Sequence, residues 1–367
     1  MPGLISKVNI KSYRGIESLE LENLQKINIL TGDNNSGKTS VLEVLSTFNQ
    51  PDILSSWFEV SREDRLIGGI SVYERLNDLF NVNSDEKKVE YSIETETGST
   101  KVELIGNDSK AELTEKEYYY RMGYAKVSEE EEDSSADRLI VVPCTEFEVR
   151  VNEKKTDSMT IYDGQRRTML SLKKEDKQYS RNLVHISPFG HVSGMLFLNE
   201  ILNTPELYEE ILEVLKEFDP GIISINYDDG PTPRRGGCYK ILSKENNRAL
   251  PLNMYGDGMK KAILLMSAVI KAKDGMLLLD EFETAIHTSA MDKVFKWILK
   301  TCVKLNVQVF LTSHSMEAID KVLNCSEYLQ EDMAVYTLYK DQEGNSVRRM
   351  SAQNALKLKN EMGLELR

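Results

Sequence analysis

Apolar and polar positions alternate with a period of two in the first half of the chain, a pattern typical of half-buried β-strands. Residues 4–10 and 18–21 predict two short strands. Residues 89–93 and 101–104 alternate on either side of Gly98, which predicts a β-hairpin. Further runs of this kind lie at residues 139–142, 147–151 and 159–162. The middle of the chain is therefore predicted to be an antiparallel β-rich insertion.

The last third of the chain follows a different pattern, in which helical and strand segments take turns. From residue 258 onward the order is helix, strand, helix, strand, helix, which is typical of a parallel α/β sheet. Earlier segments predict a mixed-charge helix over 57–80, a strand at 183–187 and a helix that starts at Thr204-Pro205. The predicted fold class is α/β, with a mostly parallel core sheet, an antiparallel β insertion and a helical sub-lobe. We expect residues 1–56 and 250–367 to form the core, 57–182 the insertion and 183–249 the lobe.

Composition limits the class of protein. With 367 residues, 40% hydrophobic and 29% charged, the chain is long enough for one large or two modest soluble domains. No apolar run approaches the roughly 20 residues of a membrane span, and the first residues lack a signal-peptide pattern. We therefore expect a cytoplasmic protein with no membrane partner. The cysteines, which are far apart and predicted to be reduced, are Cys144, Cys238, Cys302 and Cys325.

The formal net charge is −13, so the molecule as a whole repels nucleic acid, and contact with DNA or RNA would need a local basic face. A candidate cluster in the insertion consists of Arg150, Lys154, Lys155, Arg166, Arg167, Lys173, Lys174, Lys177 and Arg181. Charge runs usually form solvated faces, as we also expect for the acidic run Glu129–Asp133. Nucleic-acid binding therefore stays an open alternative.

The chemistry of the chain centres on the segment Gly32-Asp33-Asn34-Asn35-Ser36-Gly37-Lys38-Thr39, which lies between an apolar strand and an apolar helix. This segment fits the phosphate-loop pattern G-x-x-x-x-G-K-[ST], whose backbone N–H groups and helix start bind phosphate oxygens. Lys38 would reach the β- and γ-phosphates, and the Thr39 hydroxyl would take a position on Mg²⁺. The expected nucleotide contacts are Asn34, Asn35, Ser36, Gly37, Lys38, Thr39 and Ser40. The segment predicts that the chain binds a nucleoside triphosphate.

Two apolar strands in the last third end in residues suited to phosphate chemistry. The apolar strand that starts at Gly275 ends in Asp280 and Glu281, at the sheet edge where ligands collect in parallel sheets. We expect Asp280 to hold the Mg²⁺ shell and Glu281 to act as general base on the attacking water. The strand 307–312 leads to His314, which is predicted to contact the γ-phosphate or orient the water.

A second glycine turn, at 256–258, precedes the apolar helix 262–270 and predicts another anion-binding helix start. Gly256, Asp257 and Gly258 are therefore candidate nucleotide contacts. Because the chain has one phosphate loop, a second such turn suggests a composite site shared between two copies. This interpretation requires the turn to lie on the surface, where it can meet the Lys38 of a neighbouring copy.

The order of these motifs resembles the ABC-type ATPases of the SMC, RecF and OLD group. The stretch Ser12-Tyr13-Arg14-Gly15-Ile16 is similar to the opening of that group and adds Arg14 to the expected nucleotide contacts. The segment Asp280–His287 resembles its Walker B motif and D-loop, residues 254–260 its degenerate signature, and Thr312–Ser315 its switch histidine. The resemblance implies an ATPase that forms a homodimer, or a higher homo-oligomer, with ATP sandwiched between two copies.

Two features depart from the family pattern. Gly256 stands where ABC signatures carry a serine, so Asn253 or Lys260 would have to compensate and turnover is expected to be slow. The glutamine of the Q-loop has two candidate positions, Gln165 and the segment at Ser187-Pro188, and the sequence does not decide between them.

The resemblance also bears on the cellular role. Many OLD-like proteins carry a C-terminal Toprim nuclease, but residues 315–367 contain no Asp-x-Asp pair. The chain therefore resembles stand-alone ATPase subunits of bacterial defence systems such as PARIS, which act with a separately encoded effector, often a nuclease. The leading hypothesis is an ATP-driven switch that controls such an effector in anti-phage defence. A RecF-like ATPase that loads on DNA is the alternative, and a transporter ATPase is disfavoured because of the internal insertion and the degenerate signature.

Overall fold

The computed structural model describes most of the chain. The described residues are 4–61, 70–123, 138–166, 182–187, 190, 197–228, 238–284, 286, 288–325, 327–341 and 344–362. The acidic run at 129–133 and the basic residues from 167 to 181 lie outside them. None of the helices in the described ranges combines the length and apolarity needed to cross a bilayer.

The strands are β1 (Ile5–Tyr13), β2 (Ile16–Leu21), β3 (Ile27–Gly32), β4 (Lys88–Thr95), β5 (Gly98–Thr114), β6 (Leu139–Val151), β7 (Lys154–Tyr162), β8 (Leu183–Ile186), β9 (Ile222–Asp228), β10 (Cys238–Ser243), β11 (Leu250–Pro251), β12 (Met276–Leu279), β13 (Gln308–Thr312), β14 (Met333–Asp341) and β15 (Gly344–Ser351). The α-helices are α1 (Lys38–Thr47), α2 (Ser55–Val60), α3 (Val72–Asn77), α4 (Glu115–Met122), α5 (Leu198–Leu202), α6 (Pro205–Leu215), α7 (Asp257–Lys271), α8 (Thr288–Lys304), α9 (Met316–Asn324) and α10 (Ala352–Met362). Short 3₁₀ turns span Leu252–Met254 and Glu327–Asp332.

A six-stranded sheet carries the chemistry, in the order β15-β14-β3-β13-β12-β8. All its neighbouring pairs are parallel except β14 with β15, which form an antiparallel hairpin. The predicted α/β fold with a mostly parallel core sheet is confirmed. Because parallel strands end at a common edge, the residues that follow β3, β8, β12 and β13 are brought together there.

A second six-stranded sheet is antiparallel, in the order β2-β1-β4-β5-β6-β7. The predicted hairpin is confirmed, with Val89 opposite Leu104 and Thr95 opposite Gly98. The runs predicted separately at 139–142 and 147–151 form one strand, β6, which pairs with β5 along its whole length. Strand β1 pairs with β4, so the boundary predicted at residue 57 does not separate two sheets.

Alternate residues of the parallel sheet belong to two different cores. Leu278 and Phe310 face the antiparallel sheet and pack in one cluster with α1 and residues such as Tyr91. Leu277 and Val309 face the other way and pack in a second cluster with α7, α8 and α9. Every strand that bears a predicted catalytic residue is therefore buried on both faces, which fixes the position of its carboxyl end.

The remaining described elements form a smaller lobe and short connections. A three-stranded antiparallel sheet, β11-β10-β9, packs with α6 in the same hydrophobic cluster as α7, α8 and α9. The helix predicted over 57–80 is instead two short helices, α2 and α3, with residues 62–69 outside the described part. Helix α3 has its own start, since the Ser71 hydroxyl accepts from the Glu74 N–H and Glu74 accepts in return from the Ser71 N–H. The four cysteines are free thiols.

Candidate nucleotide-binding site

The phosphate loop connects β3 to α1 through backbone conformations that glycine adopts most easily. Gly32 has φ +133° and Gly37 has φ +102°. A Cβ atom on Gly32 would lie 2.0 Å from the carbonyl oxygen of Leu338 in β14, so no other residue fits there without moving the sheet. The loop is therefore walled on one side by the neighbouring strand.

Lys38 lies folded inside this loop. Its Nζ donates to the carbonyl oxygens of Gly32 and Asp33, both at 2.8 Å, and its side chain is buried. Burial lowers the pKa of Lys38, while the carboxylates of Asp280, Asp33 and Glu281 act in the opposite direction. The acidic pair after β12 is thus within electrostatic reach of the phosphate-loop lysine, as the sequence predicts.

The other predicted loop contacts differ in exposure. Ser36 is buried, Asn34 and Asn35 are exposed, and Gly37, Thr39 and Ser40 are half-buried. Asn35 adopts φ +64°, a left-handed conformation that asparagine tolerates. The exposed asparagines lie beside the start of α1, and a helix start of this kind suits an incoming phosphate.

Asp280 is held by a residue to which the sequence patterns assigned no role. The Thr312 hydroxyl, at the end of β13, donates to Asp280 Oδ1 and accepts from the Glu281 backbone N–H at 2.9 Å. Both Asp280 and Thr312 are buried. One hydroxyl therefore orients both acidic residues, and its only sign in the sequence is a polar residue that closes an apolar strand.

Glu281 itself is in a rare backbone conformation. Its φ is +48°, which costs a non-glycine residue about 1–3 kcal/mol. The conformation is held by the bond from its N–H to Thr312 and by the Thr284 N–H, which donates to the Glu281 carbonyl at 2.9 Å. The chain thus turns sharply after Asp280, and the Glu281 side chain lies half-buried at the sheet edge.

His314 follows β13 and is exposed. The loop that carries it is tied to the acidic turn, because Glu283 Oε1 accepts from the Ser313 hydroxyl at 2.8 Å and from the His314 N–H at 3.3 Å. Glu283 is a second residue whose role the sequence did not reveal. Ala285 and His287 of the predicted D-loop lie outside the described residues.

The second glycine turn lies on the surface. Gly256 and Asp257 are exposed, and nothing lies within 4 Å of the position of a Cβ on Gly256. Asp257 pairs with Lys260 one helical turn later, at 2.8 Å. The neighbouring Met254 is 65% exposed. The turn is therefore accessible from outside, as the composite-site interpretation requires.

Arg14 is engaged within its own subunit. Its Nε donates to Glu43 Oε2 at 3.1 Å, and its two terminal nitrogens donate to the carbonyl oxygens of Asp78 and Val60. These contacts join β1 to α1, the helix that follows the phosphate loop. A contact between Arg14 and nucleotide stays a prediction.

The two Q-loop candidates lie in different sheets. Gln165 follows β7 of the antiparallel sheet, where its Oε1 accepts from the Tyr162 N–H at 3.1 Å. Ser187 follows β8, which pairs in parallel with β12 at the edge that carries Asp280. Of the two, the segment at Ser187 is therefore the one next to the acidic pair; Pro188 lies outside the described residues.

The residues proposed to hold Mg²⁺ have suitable chemistry. Magnesium prefers oxygen ligands, and the Thr39 hydroxyl and the Asp280 carboxylate are both oxygen donors at the same sheet edge. The Thr312 hydroxyl fixes Asp280 from behind, as an outer residue does for a metal ligand. The donor set fits the ion. When bound, Mg²⁺ would neutralise charge on the β- and γ-phosphates.

Comparison with known proteins agrees with this geometry. The family described as "AAA domain, putative AbiEii toxin, Type IV TA system" matches residues 27–320, from the strand before the phosphate loop to the helix after His314. An "ATP/GTP phosphatase" of Helicobacter pylori is 22% identical over 344 residues, covering 86% of this chain and 87% of that protein. An uncharacterized protein of Methanocaldococcus jannaschii is 40% identical over 87 residues, which are 23% of this chain and 40% of that protein.

Among solved structures, an SMC head bound to the C-terminal winged-helix domain of ScpA aligns with 96% of this chain and 99% of its own, at 12% identity and a TM-score of 0.49. The family match covers most of the chain and includes the phosphate loop, the acidic pair and His314. The chain therefore belongs to this AAA-domain family of P-loop ATPases.

Proposed function

We propose that this protein binds and hydrolyses ATP, and that two copies clasp the nucleotide between the phosphate loop of one and the glycine turn of the other. The observation that carries the proposal is the convergence of Lys38, Asp280 and Glu281 at one edge of a parallel sheet. The phosphatase relative in H. pylori supports a hydrolytic activity on nucleoside triphosphates.

The proposed mechanism uses the residues in separate roles. The ammonium of Lys38 exchanges its bonds with Gly32 and Asp33 for the β- and γ-phosphate oxygens. Glu281 accepts a proton from the attacking water, and His314 contacts the γ-phosphate from the neighbouring strand. The turn at Gly256 supports dimerisation, because Gly256 and Asp257 are exposed at a helix start, where a phosphate brought by a second copy can be bound.

The proposed biological role is a nucleotide-driven switch that controls a separately encoded effector, with a nuclease in anti-phage defence as the leading candidate. This part of the proposal rests on the sequence resemblance to stand-alone ATPase subunits. Such an effector would bind a surface that changes when two copies of the protein close around ATP.

Two of the four described residues of the basic cluster, Arg150 and Lys155, give DNA loading little support. Arg150 and Lys155 both form ion pairs with Glu148, and Lys155 also pairs with Glu146 at 3.3 Å. Those cations are already neutralised on the sheet surface, so they add little attraction for a phosphate backbone. The residues from Arg167 to Arg181 lie outside the described part.

The test is phosphate release and mass in solution, measured with and without ATP and Mg²⁺. We expect slow hydrolysis and a shift from monomer to dimer on ATP addition. Lys38→Ala should abolish nucleotide binding, whereas Lys244→Ala, on an exposed turn, should leave it unchanged. Retained ATP affinity in Lys38→Ala would contradict the role of the loop. Binding to plain duplex DNA at about 50 mM salt would favour the loading alternative instead.

A further inference from the structure

A lysine near the start of α7 is buried without a partner. Lys261 is 1% exposed, and its Nζ makes no hydrogen bond to any of the described residues. Lysine is almost never fully buried unless it is paired, because removing an ammonium group from water without compensation is costly. Burial of such a group lowers the stability of the fold, which indicates that the lysine has a function.

The nearest charges belong to the acidic turn after β12. Burial lowers the pKa of Lys261 to about 7, and the carboxylates of Glu283 and Glu281 oppose this effect. Glu283 has one oxygen, Oε1, bonded to Ser313 and to the His314 N–H. Its other oxygen, Oε2, is buried and has no hydrogen-bond partner among the described residues. A buried donor, Lys261 Nζ, and a buried acceptor, Glu283 Oε2, thus both lack a hydrogen-bond partner among the described residues.

These two groups belong to elements that the proposed dimer would move relative to each other. Lys261 lies one turn into α7, directly after the exposed glycine turn at 256–258. Glu283 holds the loop that carries His314. A nucleotide brought to the glycine turn by a second copy would contact the start of α7, and movement of this helix is the step by which Nζ would come to bond with Glu283 Oε2.

We propose that Lys261 is a positioning residue that pairs with Glu283 when ATP binds, and so couples the glycine turn to the His314 loop of the same subunit. This inference rests on the proposed ATPase function. The proposal gives α7 a second role. Its glycine turn contacts the nucleotide of the partner, and Lys261 transmits that contact to the His314 loop of its own subunit. Formation of the pair removes two unsatisfied buried groups, which favours the closed state.

The test is a double-mutant cycle on the full chain with Lys261→Met and Glu283→Gln. Without nucleotide, Lys261→Met should raise the Tm, because it replaces a buried unpaired amine by an apolar chain of similar length. With ATP, each single variant should lose part of the Tm gain that ATP gives the wild type, and the double variant should lose no more than either. Turnover of Lys261→Met should fall about tenfold, with ATP affinity changed less than twofold.

Two further variants keep the test decisive. Lys261→Arg retains the charge and should recover part of the turnover. Lys271→Met, at the exposed end of the same helix where the lysine pairs with Glu200, should change neither turnover nor the Tm gain. Additive losses in the cycle, or a lower Tm of Lys261→Met without ATP, would overturn the coupling. If ATP raises the Tm of the wild type but no phosphate is released, the proposed hydrolysis is wrong. The double-mutant cycle still tests whether Lys261 pairs with Glu283.

Discussion

Lysines of the antiparallel sheet and lysines of the nucleotide site are in opposite electrostatic situations. On the sheet, Lys88 and Lys101 each pair with Glu103 and Glu90, one on the same strand and one on the neighbouring strand, and these bonds raise the pKa of both lysines. At the site, burial lowers the pKa of Lys38 and Lys261. The first region has its charges paired within the folded chain, whereas the second holds charges at a cost in stability.

This contrast indicates which cations of the molecule are available to a ligand. A cation already paired with carboxylates gains little from a phosphate, because the bonds it would make are already made. A buried cation bonded only to neutral oxygens, such as Lys38 with two carbonyl oxygens and the Ser36 hydroxyl, gains a full counter-charge. Substitutions at the site should therefore change turnover, and substitutions in the sheet should change stability.

The largest effect is expected from Glu281→Gln. Loss of the general base should reduce turnover about 10³-fold while ATP still binds, so the dimer should accumulate. Phosphate release and light scattering measure the two effects. Glu317→Gln, on the exposed first turn of α9, is the matched control. Unchanged hydrolysis would remove Glu281 from its proposed role.

The next largest effect is expected from Lys261, on the way the free energy of unfolding depends on pH. Its folded pKa of about 7 lies below the ordinary value of 10.5, so the unfolded chain binds more protons between these values. The free energy of unfolding contributed by this group should therefore rise from pH 7 to pH 10.5, by roughly a few kcal/mol. Lys261→Met should remove that rise, and denaturant titrations of both proteins across the window measure the difference. If the free energies of unfolding of the two proteins change equally with pH, the amine of Lys261 is not buried as described.

Thr312→Val should have an intermediate effect. The substitution keeps the shape of the side chain but removes the hydroxyl that bonds to Asp280 and to the Glu281 N–H. Misplaced acidic residues should lower turnover about tenfold, and the lost bonds should lower the free energy of unfolding by about 1–3 kcal/mol. Thr47→Val, which removes another buried hydroxyl at the far end of α1, should affect stability alone. Equal turnover losses in both variants would argue against a specific role.

A sheet charge should affect stability only. Burial opposes the shift, but hydrogen bonds from Lys11, Lys88 and Lys101 lower the pKa of Glu90 to about 2. Since the folded pKa is below the ordinary 4.5, the contribution of Glu90 is present above pH 4.5 and is lost as the pH falls towards 2. Glu90→Gln should cost about 1 kcal/mol at pH 7 and flatten this acid dependence, with ATP turnover unchanged. A loss of turnover would show that charges of the antiparallel sheet also affect the nucleotide site.

The smallest effect is expected from Gly256→Ser. The backbone at this position has φ −63° and ψ 157°, which serine adopts readily, and the space around a Cβ is open. A hydroxyl here would restore the side-chain donor of ABC signatures, so turnover should rise about two- to threefold. Steady-state phosphate release measures it, and Gly256→Ala controls for the loss of glycine flexibility. A fall in turnover with serine would mean that the turn does not meet a phosphate.

The sequence predicted those parts of the fold and site that depend on local pattern. The phosphate loop, the acidic pair and His314 each follow a short apolar strand, and such strands are visible as apolar runs. Thr312, Glu283 and Lys261 could not be predicted in the same way, because their roles depend on contacts between strands and helices distant in the chain. The pairing of β1 with β4 escaped prediction for the same reason, since alternation marks a strand but not its neighbour.

The wall of the phosphate loop comes from the far end of the chain. Strand β14 runs parallel to β3, with Leu338 opposite Gly32, and Asn345 at the start of β15 accepts from the Glu17 N–H at 3.2 Å. During synthesis, residues 27–39 therefore emerge long before the strand that shapes them. A nascent chain that stops short of residue 345 has an unsupported loop, so the loop reaches its nucleotide-binding shape only after β14 and the start of β15 have been synthesised.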